Sequence, residues 1–172
     1  IREGAFLWRL VGEIMHQDTT MFLIICSALV LFMTPGLAFF YGGLVRASSV
    51  VSMMMMSFGS LGLVSVLWIV YGYSIGFSTP ADGGFFGIDG VFAFSVDKLF
   101  MNDALAAAKA GDGFPFAFGG FQGTFAIVTV ALISGAIADR AKFGSWMVFA
   151  GLWATIVYFP VASWVFNFTL AK

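Results

Sequence analysis

The string TPGLAFFYGG, residues 34–43, lies in the first of four long segments that contain no charged residue and no histidine. An α-helix needs about 20 predominantly apolar residues to cross roughly 30 Å of bilayer hydrocarbon. Each segment is long enough for one such helix, so the sequence predicts four membrane spans. The residues that enclose the segments are Asp18 and Arg46, Arg46 and Asp82, Asp112 and Asp139, and Lys142 and Lys172, and the segments hold 27, 35, 26 and 29 residues.

The overall composition also indicates a membrane protein. The chain is 60% hydrophobic and only 10% charged, with a mean hydropathy of +0.99. A soluble protein of this size could not cover so much apolar surface. The expected fold class is therefore an all-α membrane protein, a polytopic bundle of transmembrane helices. The net charge of −1 gives no reason to expect nucleic acid as a partner.

The predicted spans are residues 20–44, 50–77, 115–138 and 143–166. The connections after the first and third spans are short, which makes the helices that they join antiparallel neighbours. The middle connection, residues 78–114, is long and rich in Gly and Asp. Within it, residues 97–110 predict a surface helix with four apolar anchors, Leu99, Phe100, Leu105 and Ala108.

Positive charges predict the orientation of the spans. Arg46 lies in the first short connection, and Arg140 and Lys142 lie in the second. By the positive-inside rule these two connections are cytoplasmic, so the middle connection and both termini are extracytoplasmic. The predicted organisation is an amphipathic N-terminal segment over residues 1–17, or alternatively a frayed tail, followed by a membrane domain over residues 18–172.

Small residues predict where the helices touch. Gly72 with Gly76, and Gly119 with Gly123, form GxxxG pairs that favour close approach of two helix backbones. Pro35 is expected to kink the first span, because it cannot donate to the carbonyl one turn back. Helix packing is the simpler interpretation of these residues, and the wall of a pore is the alternative.

The sequence contains no recognisable enzyme constellation. The single histidine, His16, precedes the first span, and no carboxylate lies inside any span. The residues also lack the spacing of metal ligands. We therefore expect no catalytic residues, no metal and no cofactor.

One polar side chain, Gln122, lies deep in an apolar segment between Phe121 and Phe125. The two phenyl rings are four residues apart, so they share a helix face, and Phe118 and Thr129 extend the same row. Ring faces attract a small cation, and apolar rings also strip water from a passing species. Gln122 could hydrogen-bond near such a site or could hold two helices together, and the pattern leaves both interpretations open.

Four stretches of this sequence resemble, in order and in spacing, the first four helices of the ammonium transporter family. They are FMTPGLAFFYGGLVR at 32–46, LWIVYGYSIGF at 67–77, FQGTFA at 121–126 with AIADR at 136–140, and YFPVASWVF at 158–166. The resemblance implies a channel-like transporter of ammonium or ammonia with eleven helices, of which this chain would be about the first four. It further implies a homotrimer in the cell membrane with lipid around it, and it allows a P-II-type regulatory protein as a partner on the cytoplasmic face.

The resemblance also implies roles for individual residues. Phe121 and Phe125 match two rings at the outer mouth, where one helps to recruit ammonium and the other gates the path. Gln122 matches a glutamine of the family motif. Three residues of the first helix match or adjoin the inner wall of the pore, namely Leu37, Phe40 and Tyr41.

Two positions depart from the family pattern. Phe166 stands where the outer recruitment site commonly has Trp, and Ser163 stands where the family often has His. A phenyl ring keeps a π face but lacks the indole donor. Trp164 cannot simply substitute, because two residues along a helix is a rotation of about 200°.

The expected function is thus ammonium or ammonia transport in a complete protein. The pore histidines implied by the resemblance belong to later helices, so this chain is not expected to conduct by itself. Two alternatives stay open: an ammonium sensor in which the same fold is joined to a signalling domain, and a membrane scaffold without transport.

Overall fold

The computed structural model describes residues 2–78, 86–88 and 92–166. This part of the chain contains four helices that are long and apolar enough to cross a membrane. The predicted fold class, a mostly helical bundle with four candidate spans, is confirmed. We call the helices span 1 to span 4, and they are Gln17–Leu44, Val50–Phe77, Phe114–Ile137 and Phe143–Phe166.

Span 1 is the second part of one long helix, Arg2–Leu44. The sequence predicted a separate segment over residues 1–17, but the helix is continuous there, because no Gly or Pro interrupts residues 13–34. Its 43 residues correspond to about 65 Å of helix, roughly twice the thickness of a bilayer core. Pro35 lies inside the helix, which continues through it.

Spans 2 and 4 each contain one π-helical turn. Span 2 consists of the α-helix Val50–Leu67, the π turn Trp68–Gly72 and the α-helix Tyr73–Phe77. Span 4 consists of Phe143–Trp153, the π turn Ala154–Tyr158 and Phe159–Phe166. The Tyr71 hydroxyl lies 2.7 Å from Thr155 Oγ1, so a hydrogen bond joins the two π turns at the same depth.

Contacts at both ends show that spans 1 and 3 run parallel. An added Cβ at Gly113 would lie 3.6 Å from Thr20 Cγ2, near the start of both helices. Near the other end, the Tyr41 ring lies against Gly135, and its hydroxyl donates to the carbonyl of Leu132 at 3.1 Å. Span 3 consists of the α-helix Phe114–Ile133 and the 3₁₀ turn Ser134–Ile137.

Spans 2 and 4 are also parallel to each other. The Phe143 ring lies against Gly59, and the Phe159 ring lies against Gly72. The two pairs of spans run in opposite directions, because Trp68 contacts Gly119 early in span 3 and Ser57 contacts Ser134 late in it. Consecutive spans are therefore antiparallel, as the short connections predicted.

Aromatic side chains pack against glycines of both GxxxG pairs. An added Cβ would lie 2.7 Å from a ring atom at three positions, against Trp68 at Gly123, Tyr73 at Gly119 and Phe159 at Gly72. The sequence predicted close approach of two backbones at these glycines. In the structure, a bulky ring from a neighbouring span fills the space that a side chain would take at these glycines. We call such a contact a ring socket.

The middle connection contains a small hairpin and two short helices. The strands Phe86–Ile88 and Phe92–Phe94 pair antiparallel, and the 3₁₀ helix Val96–Met101 leads into the α-helix Asn102–Lys109. The prediction of one helix over residues 97–110 is corrected here, because Phe100 and Met101 adopt positive φ angles and break it.

This break changes which side chains anchor the connection. Met101 turns inward and reaches Gly119, and Met101 and Ala104 are the buried hydrophobic residues of the two short helices. Of the four predicted anchors, Phe100 and Leu105 are exposed, and Leu99 and Ala108 are only partly buried.

Buried serines fasten the connection to the end of span 2. Ser74 Oγ donates to the carbonyl of Ser95 at 2.6 Å and accepts from the Ser95 N–H at 3.1 Å. Lys98 Nζ donates to the carbonyl of Phe77 at 2.8 Å, at the last turn of the helix. A cation at a helix C-terminus is stabilising, so Lys98 helps to hold the connection against this end of span 2.

The ring socket at Gly72 can be tested by adding one methyl group. Gly72→Ala places a Cβ at 2.7 Å from the Phe159 ring, and we expect a loss of about 1–3 kcal/mol in the free energy of unfolding. Gly62→Ala is the matched control in the same span, because an added Cβ there meets nothing within 4 Å. Unfolding of the purified protein in detergent measures both, and equal midpoints would contradict the socket.

Candidate transport groove

Span 3 is the central helix of the bundle, and its side away from span 2 is only partly covered in the described part of the chain. Its Gly123 faces Trp68 of span 2. Since each helical residue turns about 100°, Phe121 and Phe125 lie about 160° from Gly123 on either side. The two rings therefore stand on the face that points away from span 2. We call this face, between span 1 and span 4, the groove.

The structure brings the two predicted ring residues together. The centroids of Phe121 and Phe125 are 4.9 Å apart and the rings are nearly perpendicular, at 85°. Both side chains are half-buried. Phe118, predicted as a third ring of the row, packs against Phe114 and Phe77 instead, with centroid distances of 6.0 and 5.5 Å. The groove therefore carries two perpendicular rings, Phe121 and Phe125, and not the predicted row of three.

Two threonines bond the backbone that carries this pair. Thr124 Oγ1 donates to the carbonyl of Phe121, and Thr129 Oγ1 donates to the carbonyl of Phe125, both at 2.7 Å. Inside a helix each of these carbonyls also accepts the regular N–H bond. A carbonyl oxygen has two lone pairs, so both acceptors are already fully used.

Gln122 lies on a different side of span 3 from the two rings. It is only 6% exposed, and it lies about 100° around the helix from Phe121, on the side toward span 4. Of the two interpretations of Gln122, its burial favours a role between helices.

The predicted inner residues lie on the flank of span 1 that is turned away from span 2. Gly42 contacts Met54 of span 2, and Tyr41, about 100° further around, contacts Gly135 of span 3. Leu37 and Phe40 follow in the same direction of rotation. Phe40 is 62% exposed, and its ring centroid is 5.8 Å from that of Tyr41.

The ring pair and the inner residues lie at different depths. Tyr41 is level with Gly135, and Gly135 is ten residues beyond Phe125 in span 3. Ten residues correspond to about 15 Å along a helix. The structure therefore places Leu37, Phe40 and Tyr41 below the ring pair, on the neighbouring helix.

Span 4 forms the other side of the groove. The Tyr158 side chain interacts with that of Thr129. Because spans 3 and 4 are antiparallel, Phe166 is level with Phe121, each being eight residues from this interaction. Phe166 is half-buried and Trp164 is 52% exposed. Ser163 is fully buried, and its Oγ has no hydrogen-bond partner in the part of the chain that the structure describes.

Sequence reasoning did not single out Trp68. Its indole is buried, donates from Nε1 to the carbonyl of Gly119 at 3.0 Å and covers Gly123. The available signal was a tryptophan inside an apolar span, with a GxxxG pair in another span. Among the described residues, no three His, Cys, Asp or Glu side chains come together as metal ligands.

These features define an integral, multi-pass membrane protein with an aromatic pair on an intramembrane groove. Residues 21–171 match the profile of the Ammonium Transporter Family. The chain belongs to this family.

Relatives of known name are similar over most of this chain. An ammonium transporter of Mycobacterium tuberculosis (strain ATCC 25618 / H37Rv) is 52% identical over 158 residues, which are 87% of this chain and 33% of the relative. An ammonium transporter of Bacillus subtilis (strain 168) is 40% identical over 155 residues, covering 89% and 36%. The chain thus spans about a third of the length of the curated relatives it matches.

Solved structures give the same result for the fold. The crystal structure of Candida albicans Mep2 is 31% identical with a TM-score of 0.69, over 87% of this chain and 31% of that one. The crystal structure of Saccharomyces cerevisiae Mep2 is 32% identical with a TM-score of 0.70, over 86% and 34%.

Cross-linking can test the register of spans 1 and 3. This register sets the depth of Leu37 relative to the two rings. In a Cys26→Ser background, Thr20→Cys with Gly113→Cys should form a disulfide on mild oxidation, because the two positions are in contact. Thr20→Cys with Gly120→Cys is the control, since it moves one partner about 10 Å along the helix. Mass spectrometry of the linked peptides reads the result, and equal linkage of both pairs would contradict the register.

Proposed function

We propose that the groove is one wall of a pathway that carries ammonium or ammonia across the membrane. The observation that carries this proposal is the perpendicular pair of Phe121 and Phe125 on the groove face of the central helix. The names of the relatives, which are ammonium transporters, support the choice of substrate.

The chemistry of the ring pair favours a cation that can lose its charge. Aromatic faces attract ammonium, and their apolar surface removes its water. The carbonyls of Phe121 and Phe125 are already fully bonded through Thr124 and Thr129, so they cannot replace a hydration shell. An alkali cation at this point would lose water without gaining oxygen ligands. Ammonium can instead give up a proton to a base and continue as neutral ammonia. The spans of this chain carry no His, and no carboxylate beyond Asp18 at the start of span 1, so that base is proposed to be one of the pore histidines that the family resemblance places in later helices.

The residues below the pair fit a neutral species. Leu37 and Phe40 present apolar surface on the span 1 side of the groove, Leu37 about one turn before Tyr41 and Phe40 directly before it. A charged species would be costly beside such side chains. In the proposed sequence, ammonium meets the rings first and ammonia passes Leu37 and Phe40 afterwards.

The setting in the complete protein is part of the proposal. We propose a homotrimer in the cell membrane, with the middle connection and the N-terminus outside, on the basis of family membership and the positive-inside rule. Arg46, Arg140 and Lys142 then lie on the cytoplasmic side, where a P-II-type regulatory protein could contact the two short connections.

Removing either ring should weaken uptake by the protein encoded by the complete gene. Phe121→Ala and Phe125→Ala each delete a cation–π partner, and we expect uptake at low substrate concentration to fall by about 2- to 30-fold. Uptake of radiolabelled methylammonium by cells that lack other carriers measures the effect.

Phe116→Ala is the matched control for this experiment. Phe116 is a half-exposed ring on the same helix, at 46% exposure, but it lies beside Leu31 of span 1 and Ile69 of span 2, away from the groove. We expect its loss to leave uptake unchanged. If both groove variants transport as well as Phe116→Ala does, the groove is not the pathway and the scaffold alternative gains support.

The proposed orientation is tested by thiol labelling. In a Cys26→Ser background, Ser48→Cys in the first short connection should react with a membrane-impermeant maleimide only after the cells are opened. Asn102→Cys in the middle connection should react in intact cells, because both positions are solvent-exposed in the structure. The reverse pattern would invert the orientation of all four spans.

A further inference from the structure

Trp68 stands behind the ring pair, on the opposite side of span 3. The indole is 3% exposed, and its Nε1 donates to the carbonyl of Gly119 at 3.0 Å. The same ring covers Gly123, where an added Cβ would lie 2.7 Å from Cδ1 and 2.8 Å from Nε1. One side chain thus contacts span 3 at two points, one turn apart.

The indole is itself held from the other side. The Phe159 ring packs edge-on against it at a centroid distance of 5.6 Å, and the Phe77 ring does so at 6.2 Å. Trp68 begins the π turn of span 2, and Phe159 directly follows the π turn of span 4. Movement of the indole away from span 3 therefore requires both outer half-spans to repack.

Two different coordinates of span 3 are fixed in this way. The hydrogen bond to Gly119 fixes the height of the helix, because it is directional. The contact with Gly123 limits its rotation, since a turn of about 100° in either direction would bring the Cβ of Gln122 or Thr124 toward the indole. A helix turns as a unit over so short a distance, so the back of span 3 determines where the front points.

We propose that Trp68 is a positioning residue for Phe121 and Phe125, which sets how far the ring pair extends into the groove. This inference rests on the proposed function, because its readout is the recognition of substrate by the two rings. Trp68 lies behind the helix and does not line the groove, so it acts on the rings through its contacts with Gly119 and Gly123.

A second buried tryptophan provides a matched control. Trp146 of span 4 is 1% exposed, and its Nε1 donates to the carbonyl of Met56 and to Ser60 Oγ, both at 3.0 Å. It therefore makes the same kind of contact, but with span 2 and near the other end of the bundle. Trp146→Phe removes an indole donor of equal burial without touching the back of the ring pair.

The experiment compares Trp68→Phe with Trp146→Phe in the protein encoded by the complete gene. The amount in the membrane is determined by immunoblot, and methylammonium uptake is measured over a range of concentrations. We expect Trp68→Phe to raise the half-saturating concentration by about 3- to 10-fold, the effect of losing one hydrogen bond that orients a binding group. Trp146→Phe should change only the amount of protein and the maximal rate.

A double-mutant cycle separates positioning from general packing. In a background with both Phe121→Ala and Phe125→Ala, Trp68→Phe should have no further effect on the half-saturating concentration, because the rings that it positions are gone. The same factor in both backgrounds would overturn the inference, and so would an effect of Trp68→Phe on the maximal rate alone.

Two further results complete the test. If Trp68→Phe does not reach the membrane, Gly123→Ala perturbs the same contact from the other helix, and the same cycle applies to it. If the double ring variant takes up methylammonium like the unaltered protein, the proposed function itself fails, and the positioning role fails with it.

Discussion

The arrangement of this bundle depends on rings packed against glycines. At Gly72, Gly119, Gly123 and Gly135, a large aromatic side chain of one span occupies the place where the next span has no side chain. Such a contact gives a large buried area while it brings the helix axes close, which matters in a bilayer because lipid offers no hydrophobic drive for helix association. The contact also fixes how the two helices pack, because shifting or rotating either helix would bring a side chain into the space that the ring fills.

This packing gives span 3 two distinct sides. Its back carries Gly119 and Gly123, which receive side chains of span 2 and of the middle connection, and its front carries Phe121 and Phe125. Contacts with spans 1, 2 and 4 hold the helix, and in the described part of the chain they leave the two rings of the front half-buried. The serine contacts at Ser74 and Ser95 contribute to the same end, since they hold the connection whose Met101 also reaches Gly119. Span 3 therefore carries both the packing contacts of the bundle and the candidate functional rings.

Much of this could be predicted from the sequence, for physical reasons. Long uncharged segments determine spans directly, because charge in hydrocarbon is costly, and the four-span fold class was predicted from them. The pairing of Phe121 with Phe125 follows from helical periodicity within one span. The sequence failed where two spans meet. Three features were missed: the ring sockets at the GxxxG pairs, the inward turn of Met101 and the packing of Phe118. Each depends on which residue of another helix lies opposite, and the sequence pattern of one span does not determine that.

The two π turns constrain how this chain can change. Each turn holds one residue more than the α-helix needs, which shifts every later side chain by about 100° around its axis. Trp68–Gly72 and Ala154–Tyr158 lie side by side in parallel helices, joined through Tyr71 and Thr155. Each span therefore presents a different face after its π turn, and the Phe159 ring meets Gly72 at that point. A one-residue deletion in either turn would rotate Phe159 relative to Gly72, and a matched deletion in both would turn the two faces in the same sense and so away from each other. The contact between the two spans therefore requires both π turns.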